Sequence, residues 1–144
     1  FFINDRVQLA KKIGADGVHV GFTDQSVKDT RAEVGDQMLI GVSCYGDIER
    51  AKTAVKDGAN YVAFGAFFPS KTKPKADVVS IEVIARAKSE LEVPVCVIGG
   101  INRKNIHEIV QYQPEMYALV SDIFGSEDIK TAVTELDQLI TKSN

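Results

Sequence analysis

A chain of 144 residues with 44% hydrophobic and 26% charged residues has ordinary globular composition, which excludes the disordered, collagenous and low-complexity classes. It predicts one domain over 1–144, yet it is short for a complete (β/α)8 barrel, which takes about 250 residues and rarely fewer than about 200. A formal net charge of −3 argues against nucleic acid or an anionic membrane as partner, and no apolar run approaches the roughly 20 residues of a membrane span. Cys44 and Cys96 form no C-x-x-C pair and no export signal opens the chain, so the expected compartment is a reducing cytoplasm.

A strand is expected at Phe1–Asn4, followed by Asp5 and a helix from Arg6 that Gly14 ends as a left-handed cap. The second strand, Gly17–Val20, places His19 between two valines, packed or facing a barrel interior rather than catalytic, and ends in Gly21-Phe22-Thr23-Asp24. The third, Leu39–Ser43, leads to a helix capped by Asp47 with Ile48, Ala51, Ala54 and Val55 inward. The fourth, Tyr61–Ala66, runs into Phe67-Phe68-Pro69-Ser70-Lys71-Thr72-Lys73, and Ser80 is expected to cap the next helix. The fifth, Val95–Gly99, buries Cys96 as a small hydrophobe and ends at Gly100, with Asn102 as a helix cap and His107 on a surface helix. The sixth, Tyr117–Ser121, precedes a last helix over 128–141, capped by Asp128, with Ile129, Ala132, Val133, Leu136, Leu139 and Ile140 on its apolar face.

Strands alternating with single helices mean βαβ units and a parallel sheet, either barrel or doubly wound. Without G-x-G-x-x-G or a P-loop pattern, the dinucleotide and nucleotide-triphosphate readings lose their main support. In such folds function gathers at the carboxyl ends of strands. There, Asp5 and Asp24 suit a shared hard cation such as Mg2+, or else serve as plain caps or Asx-turns. Ser70, Lys71, Thr72 and Lys73 offer hydroxyls and ammonium groups for an anionic leaving group, or else form a solvated loop. Gly99-Gly100 and the segment at Ser121 suit a phosphate, or else form a mere tight turn. No Ser-His-Asp or Cys-His constellation assembles.

In order and spacing, Ile3-Asn4-Asp5-Arg6, Gly17-Val18-His19-Val20-Gly21 with Asp24, Ile40-Gly41-Val42-Ser43, Gly65 to Lys73, Ile98-Gly99-Gly100-Ile101 and Val120 to Gly125 resemble thiamin phosphate synthase over essentially the whole chain. The resemblance implies a TIM-type barrel that joins 4-amino-5-hydroxymethyl-2-methylpyrimidine pyrophosphate to 4-methyl-5-(2-phosphoethyl)thiazole and releases pyrophosphate. It implies magnesium ligands at Asp5 and Asp24, and pyrimidine-pyrophosphate contacts at Asn4, Ser43 and Lys73. Ser70 and Thr72 match the family's paired hydroxyls, Gly100 and Ser121 its thiazole-phosphate cradle, and Lys73 and Ser43 its catalytic positions.

Phe22 and Ser70 depart tolerably from the family's usual glutamine and threonine, whereas Cys44-Tyr45 is expected to alter the pyrimidine side of the pocket. The larger departure is that only units three to eight of the family barrel have counterparts, six of eight, so the Q-x-R-x-K strand that grips pyrophosphate has none. A six-unit chain leaves two strand edges open. It is expected to pair with a second copy across them, to belong to a longer polypeptide, or to be poorly stable. The alternative functions are a thiazole tautomerase-like enzyme and a non-catalytic phosphate-binding barrel.

Overall fold

In the computed structural model, which describes residues 1–70 and 76–141, six strands pair in sequence order and every pair is parallel. They are β1 (Phe2–Asn4), β2 (Gly17–Val20), β3 (Leu39–Tyr45), β4 (Tyr61–Phe64), β5 (Val95–Ile98) and β6 (Met116–Ala118). The helices are α1 (Val7–Ile13), α2 (Val27–Val34), α3 (Ile48–Lys56), α4 (Glu82–Glu90), α5 (His107–Val110), α6 (Ser121–Phe124) and α7 (Ile129–Thr141). The alternation expected from the sequence therefore holds, and it produces an α/β half-barrel sheet with all six carboxyl ends on one rim.

Residues alternate in direction along each strand. One face, with Val18, Val20, Ile40, Val42, Cys44, Val62, Phe64, Val95 and Val97, is buried beneath the helices, whose Val7, Ala10, Ile48, Ala51, Ala54, Ile84 and Ala87 belong to the same core. The opposite, inner face carries Phe2, Asn4, His19, Leu39, Ser43, Tyr61, Ile98 and Met116. It stays partly open, with Leu39 44% and Ile98 40% exposed. The rings of Phe2 and Tyr61 lie across Gly17 and Gly41, where a Cβ would come within 2.2 and 2.0 Å of them.

The amino-terminal rim is wired through Arg31. Its Nη1 donates to the Gly35 and Met38 carbonyls at 2.5 and 2.7 Å, and its Nη2 to the Gly58 carbonyl and Asn60 Oδ1 at 2.8 and 2.6 Å. Asn60 Oδ1 also accepts from the Ile40 amide at 2.8 Å. One guanidinium thus satisfies the turns that lead into β3 and β4, groups that would otherwise need water.

Asp47 and Asp128 cap α3 and α7 as expected, accepting from the amides of Arg50 and Thr131, each at 3.0 Å. Gly14 ends α1 with φ 65°. Several boundaries differ from expectation. β3 runs on to Tyr45 through an irregularity between Ser43 and Tyr45, while β4 stops at Phe64. β6 ends at Ala118: Val120 turns at φ −123°, ψ −68°, so Ser121 opens α6 instead of closing a strand. Ser80 does not cap α4 by its side chain; its carbonyl accepts from Val83 and the helix begins at Glu82. Asn102 Oδ1 accepts from the Lys104 amide at 2.9 Å, but it closes a turn, and regular helix begins only at His107. On α7, Ala132 and Leu136 are buried, whereas Ile129, Val133 and Leu139 are exposed, so the helix lays a narrower stripe on the core than its sequence offers.

Candidate active site

Parallel pairing brings the polar strand ends to one rim. β1 ends at Asn4, and Asp5 leaves it with φ 63°, its amide donating to the His19 carbonyl at 2.9 Å. Aspartate is among the few side chains that adopt this left-handed geometry readily. After β2, Asp24 folds back so that its Oδ2 accepts from the Gly21 amide at 2.6 Å. The cap of α2 is Ser26, whose Oγ accepts from the Asp29 amide at 3.1 Å, so Asp24 is not a helix cap. Its carboxylate is turned onto the rim loop. Asp5 and Asp24 thus flank the short segment His19–Gly21 at neighbouring strand ends. Among the described residues no group of three or more His, Cys, Asp or Glu side chains forms a metal cluster. The donor set here is two carboxylates. That set fits a magnesium ion, which keeps waters and phosphate oxygens for its other positions.

Inside the half-barrel, His19 lies between two hydroxyls. Its Nδ1 is 2.8 Å from the Tyr61 hydroxyl and its Nε2 is 2.8 Å from Ser43 Oγ. Burial pushes the Tyr61 phenol up to about 12, so it stays protonated. If Tyr61 donates to Nδ1, Nε2–H donates to Ser43, whose own hydrogen is then directed to a third acceptor. The sequence left His19 either packed or facing a barrel interior, and it faces the interior; Tyr61 went unread, because its register opposite Gly41 is a property of the paired sheet.

Of the Cys44-Tyr45 pair, only Tyr45 stays at the rim, where its hydroxyl approaches the Gly21 and Asp24 turn. Cys44 points into the helix-covered core, fully buried, and desolvation pushes its thiol up to about 12. The expected effect of Cys44 on the pocket is therefore corrected: its side chain faces the other way. Phe22, 71% exposed, packs under the guanidinium of Arg50, 5.0 Å from its ring centroid, while Arg50 Nε donates to the Ser43 carbonyl at 3.0 Å. His107 is exposed, as expected of a surface helix.

The loop after β4 is laid against the end of β5. The amides of Phe67 and Phe68 donate to the Ile98 and Gly99 carbonyls at 3.3 and 3.0 Å. Gly100, at φ 68°, has the Phe68 carbonyl oxygen 2.4 Å from where a Cβ would stand, so a side chain there would displace this loop. The arrangement carries Ser70 toward the β5 end. Lys71, Thr72 and Lys73 lie outside the described residues. The Gly100 carbonyl in turn accepts from Asn102 Nδ2 and Asn105 Nδ2, both at 3.0 Å, and Asn105 Oδ1 accepts from the Asn102 amide at 2.8 Å. Asn105 went unread in the sequence, since none of its motifs singles it out.

Ser121 opens α6 across from this turn, and the next residue, Asp122, accepts from Arg103. The structure thus gathers Asn4, Asp5, Asp24, Ser43, Ser70, Gly100 and Ser121 along a single rim.

A family model described as thiamine monophosphate synthase matches residues 1–123. The chain belongs to this family. A thiamine-phosphate synthase of Methylococcus capsulatus is 44% identical over 137 residues, covering 95% of the chain and 61% of that relative. The chain therefore spans about three fifths of the length of this curated family member. Among solved structures, a thiamine phosphate pyrophosphorylase from Pyrococcus furiosus superposes with TM-score 0.88 at 33% identity, over 99% of this chain and 68% of that one. A 3-hexulose-6-phosphate synthase from Salmonella typhimurium, 18% identical with TM-score 0.72, shares the fold over 96% of the chain and 67% of its own.

Proposed function

We propose that residues 1–144 form one domain carrying units three to eight of a TIM-type barrel, and that its carboxyl rim belongs to a thiamin phosphate synthase. The substrates are the pyrimidine pyrophosphate and the thiazole phosphate; the products are thiamin phosphate and pyrophosphate. The carrying observation is the juxtaposition of Asp5 and Asp24 at neighbouring strand ends beside Ser43, which His19 orients.

The reaction breaks the C–O bond between the pyrimidine methylene and pyrophosphate, whose oxygen takes the electron pair. The thiazole nitrogen lone pair then forms the new C–N bond. This chemistry requires no general base. Asp5 and Asp24 would hold magnesium, which when bound supplies neutralisation of the leaving pyrophosphate. Ser43 donates from the barrel interior toward the pyrimidine side, Asn4 lines the same row, and Ser70 serves the leaving group, a role the family resemblance also assigns to Thr72 and Lys73. Gly100 and Ser121 hold the thiazole phosphate, so that the nucleophile is kept close to the methylene carbon. The exposed inner face between β1 and β6 is completed by the barrel's first two units.

The test is magnesium-dependent formation of thiamin phosphate by the polypeptide containing these residues. Asp24→Ala is expected to lower kcat/KM by about a hundredfold or more with little change in thermal midpoint. Full activity in that variant, or activity indifferent to magnesium, overturns the assignment.

A further inference from the structure

Arg103 and Asp122, nineteen residues apart in sequence, are joined by the fold into a tie between two rim loops. The Arg103 amide and its Nε both donate to Asp122 Oδ2 at 3.0 Å, and the side chains of Arg103 and Asp122 are only 34% and 19% exposed. Arg103 Nη1 reaches Glu135 on α7 in a second ion pair. Asp122 directly follows Ser121, and Arg103 directly follows the Gly100–Asn102 turn that Asn102 and Asn105 brace through the Gly100 carbonyl. One carboxylate oxygen taking two donors from a single residue fixes both the distance and the angle between the two loops. A charge-assisted bond to a guanidinium holds that geometry better than a neutral contact.

We infer that Arg103 and Asp122 are a positioning pair that sets the spacing of the β5 and β6 loops, and with it the affinity of this rim for the phosphate of the thiazole substrate. Neither side chain touches the ligand in this account. The inference rests on the proposed placement of the thiazole phosphate at Gly100 and Ser121. Glu135 is an outer anchor: its pairing with Arg103 is the more exposed one, and Arg103 keeps both of its bonds to Asp122 without it.

The experiment is calorimetric titration of 4-methyl-5-(2-phosphoethyl)thiazole into the polypeptide containing these residues and its Asp122→Ala, Asp122→Asn and Glu135→Gln variants, with thermal midpoints of each. Steady-state KM and kcat are measured in the polypeptide containing these residues. Asp122→Ala is expected to raise Kd and KM for the thiazole phosphate by about tenfold, the scale of a lost charge-assisted bond. Its kcat and the KM for the pyrimidine pyrophosphate stay near those of the parent. Asp122→Asn, which keeps an acceptor, is expected to recover part of the loss, and Glu135→Gln to change binding by less than about threefold. Parent-like thiazole-phosphate affinity in Asp122→Ala overturns the positioning role while leaving the proposed function standing. A variant that loses thermal stability and kcat together, with KM unchanged, also overturns it. If the unaltered chain binds no thiazole phosphate, the proposed site falls and the inference falls with it.

Discussion

Leu39 and Ile40 are neighbours in β3 with side chains of equal size, yet Ile40 is fully buried and Leu39 is 44% exposed. The contrast recurs across the sheet, although the small inward side chains Ala63 and Cys96 are buried among their neighbours. Toward the helices the strands present valine, isoleucine and phenylalanine in one buried cluster. Toward the barrel interior they present asparagine, histidine, serine and tyrosine among large apolar side chains that remain partly uncovered. One face holds the fold together; the other holds His19, Ser43 and Tyr61 in fixed relation beneath the rim. The lesson is that stability and chemistry are assigned to alternate residues of the same strands, so a substitution can separate them.

The sharpest break of this comparison is the adjacent pair. Ile40→Ala is expected to cost about 3–4 kcal/mol in urea unfolding, the range for a buried aliphatic truncation. Leu39→Ala is expected to cost under about 1 kcal/mol. Equal losses would show that the inner face packs as tightly as the outer. Next in size is Arg31→Ala. It takes one donor from each of four acceptors, of which Asn60 Oδ1 keeps the Ile40 amide, and should cost about 2–3 kcal/mol, read as a lower denaturation midpoint with the rim chemistry untouched.

The two cysteines extend the comparison to pH. Burial pushes Cys44 up to about 12 on the helix-covered face and Cys96 up to about 11 on the other. In the unfolded chain both thiols ionise first, near their usual range of about 8.5. The folded state therefore keeps protons that the unfolded state releases as pH rises. Stability from these thiols is complete below about 8.5 and is lost as pH climbs toward their folded values. The unfolding free energy from urea titration should fall between pH 8 and pH 10.5, and that fall should be smaller by about 1 kcal/mol or more in Cys44→Ala. An identical drop in the variant would sink the claim.

The smallest effect on stability, and the one that isolates the inner face, is expected from Tyr61→Phe. Removing the hydroxyl that sets His19 should lower kcat about tenfold while the thermal midpoint shifts by only a few degrees. A parent-like kcat would mean that the tautomer of His19 does not matter to Ser43.

Much of this division was legible in the sequence because it depends on local pattern. Period-two alternation marks Gly17–Val20 as a strand with His19 on the less apolar side, and Asp47 and Asp128 announce their helices within three residues. The family motifs place Asp5, Asp24, Ser43, Gly100 and Ser121 at strand ends. What escaped depends on partners distant in sequence. Arg103 meets Asp122 nineteen residues on, and Asn105 is tied to Gly100 through a turn that reads as helix. Gly100 itself invited a phosphate reading, whereas the structure gives its glycine a steric reason in the Phe68 carbonyl, which fills the space of a side chain. The end of β6 was misplaced because Leu119-Val120 continues an apolar run after the backbone has already turned.

The central claim is that this rim works on a pyrophosphate ester through Asp5 and Asp24. Its most direct test is to incubate the polypeptide containing these residues with both substrates and to quantify thiamin phosphate and pyrophosphate together, with magnesium and with excess chelator. The account predicts the two products in equal amounts with magnesium and neither with chelator. Binding of both substrates without product, or product formation undiminished by the chelator, would contradict it.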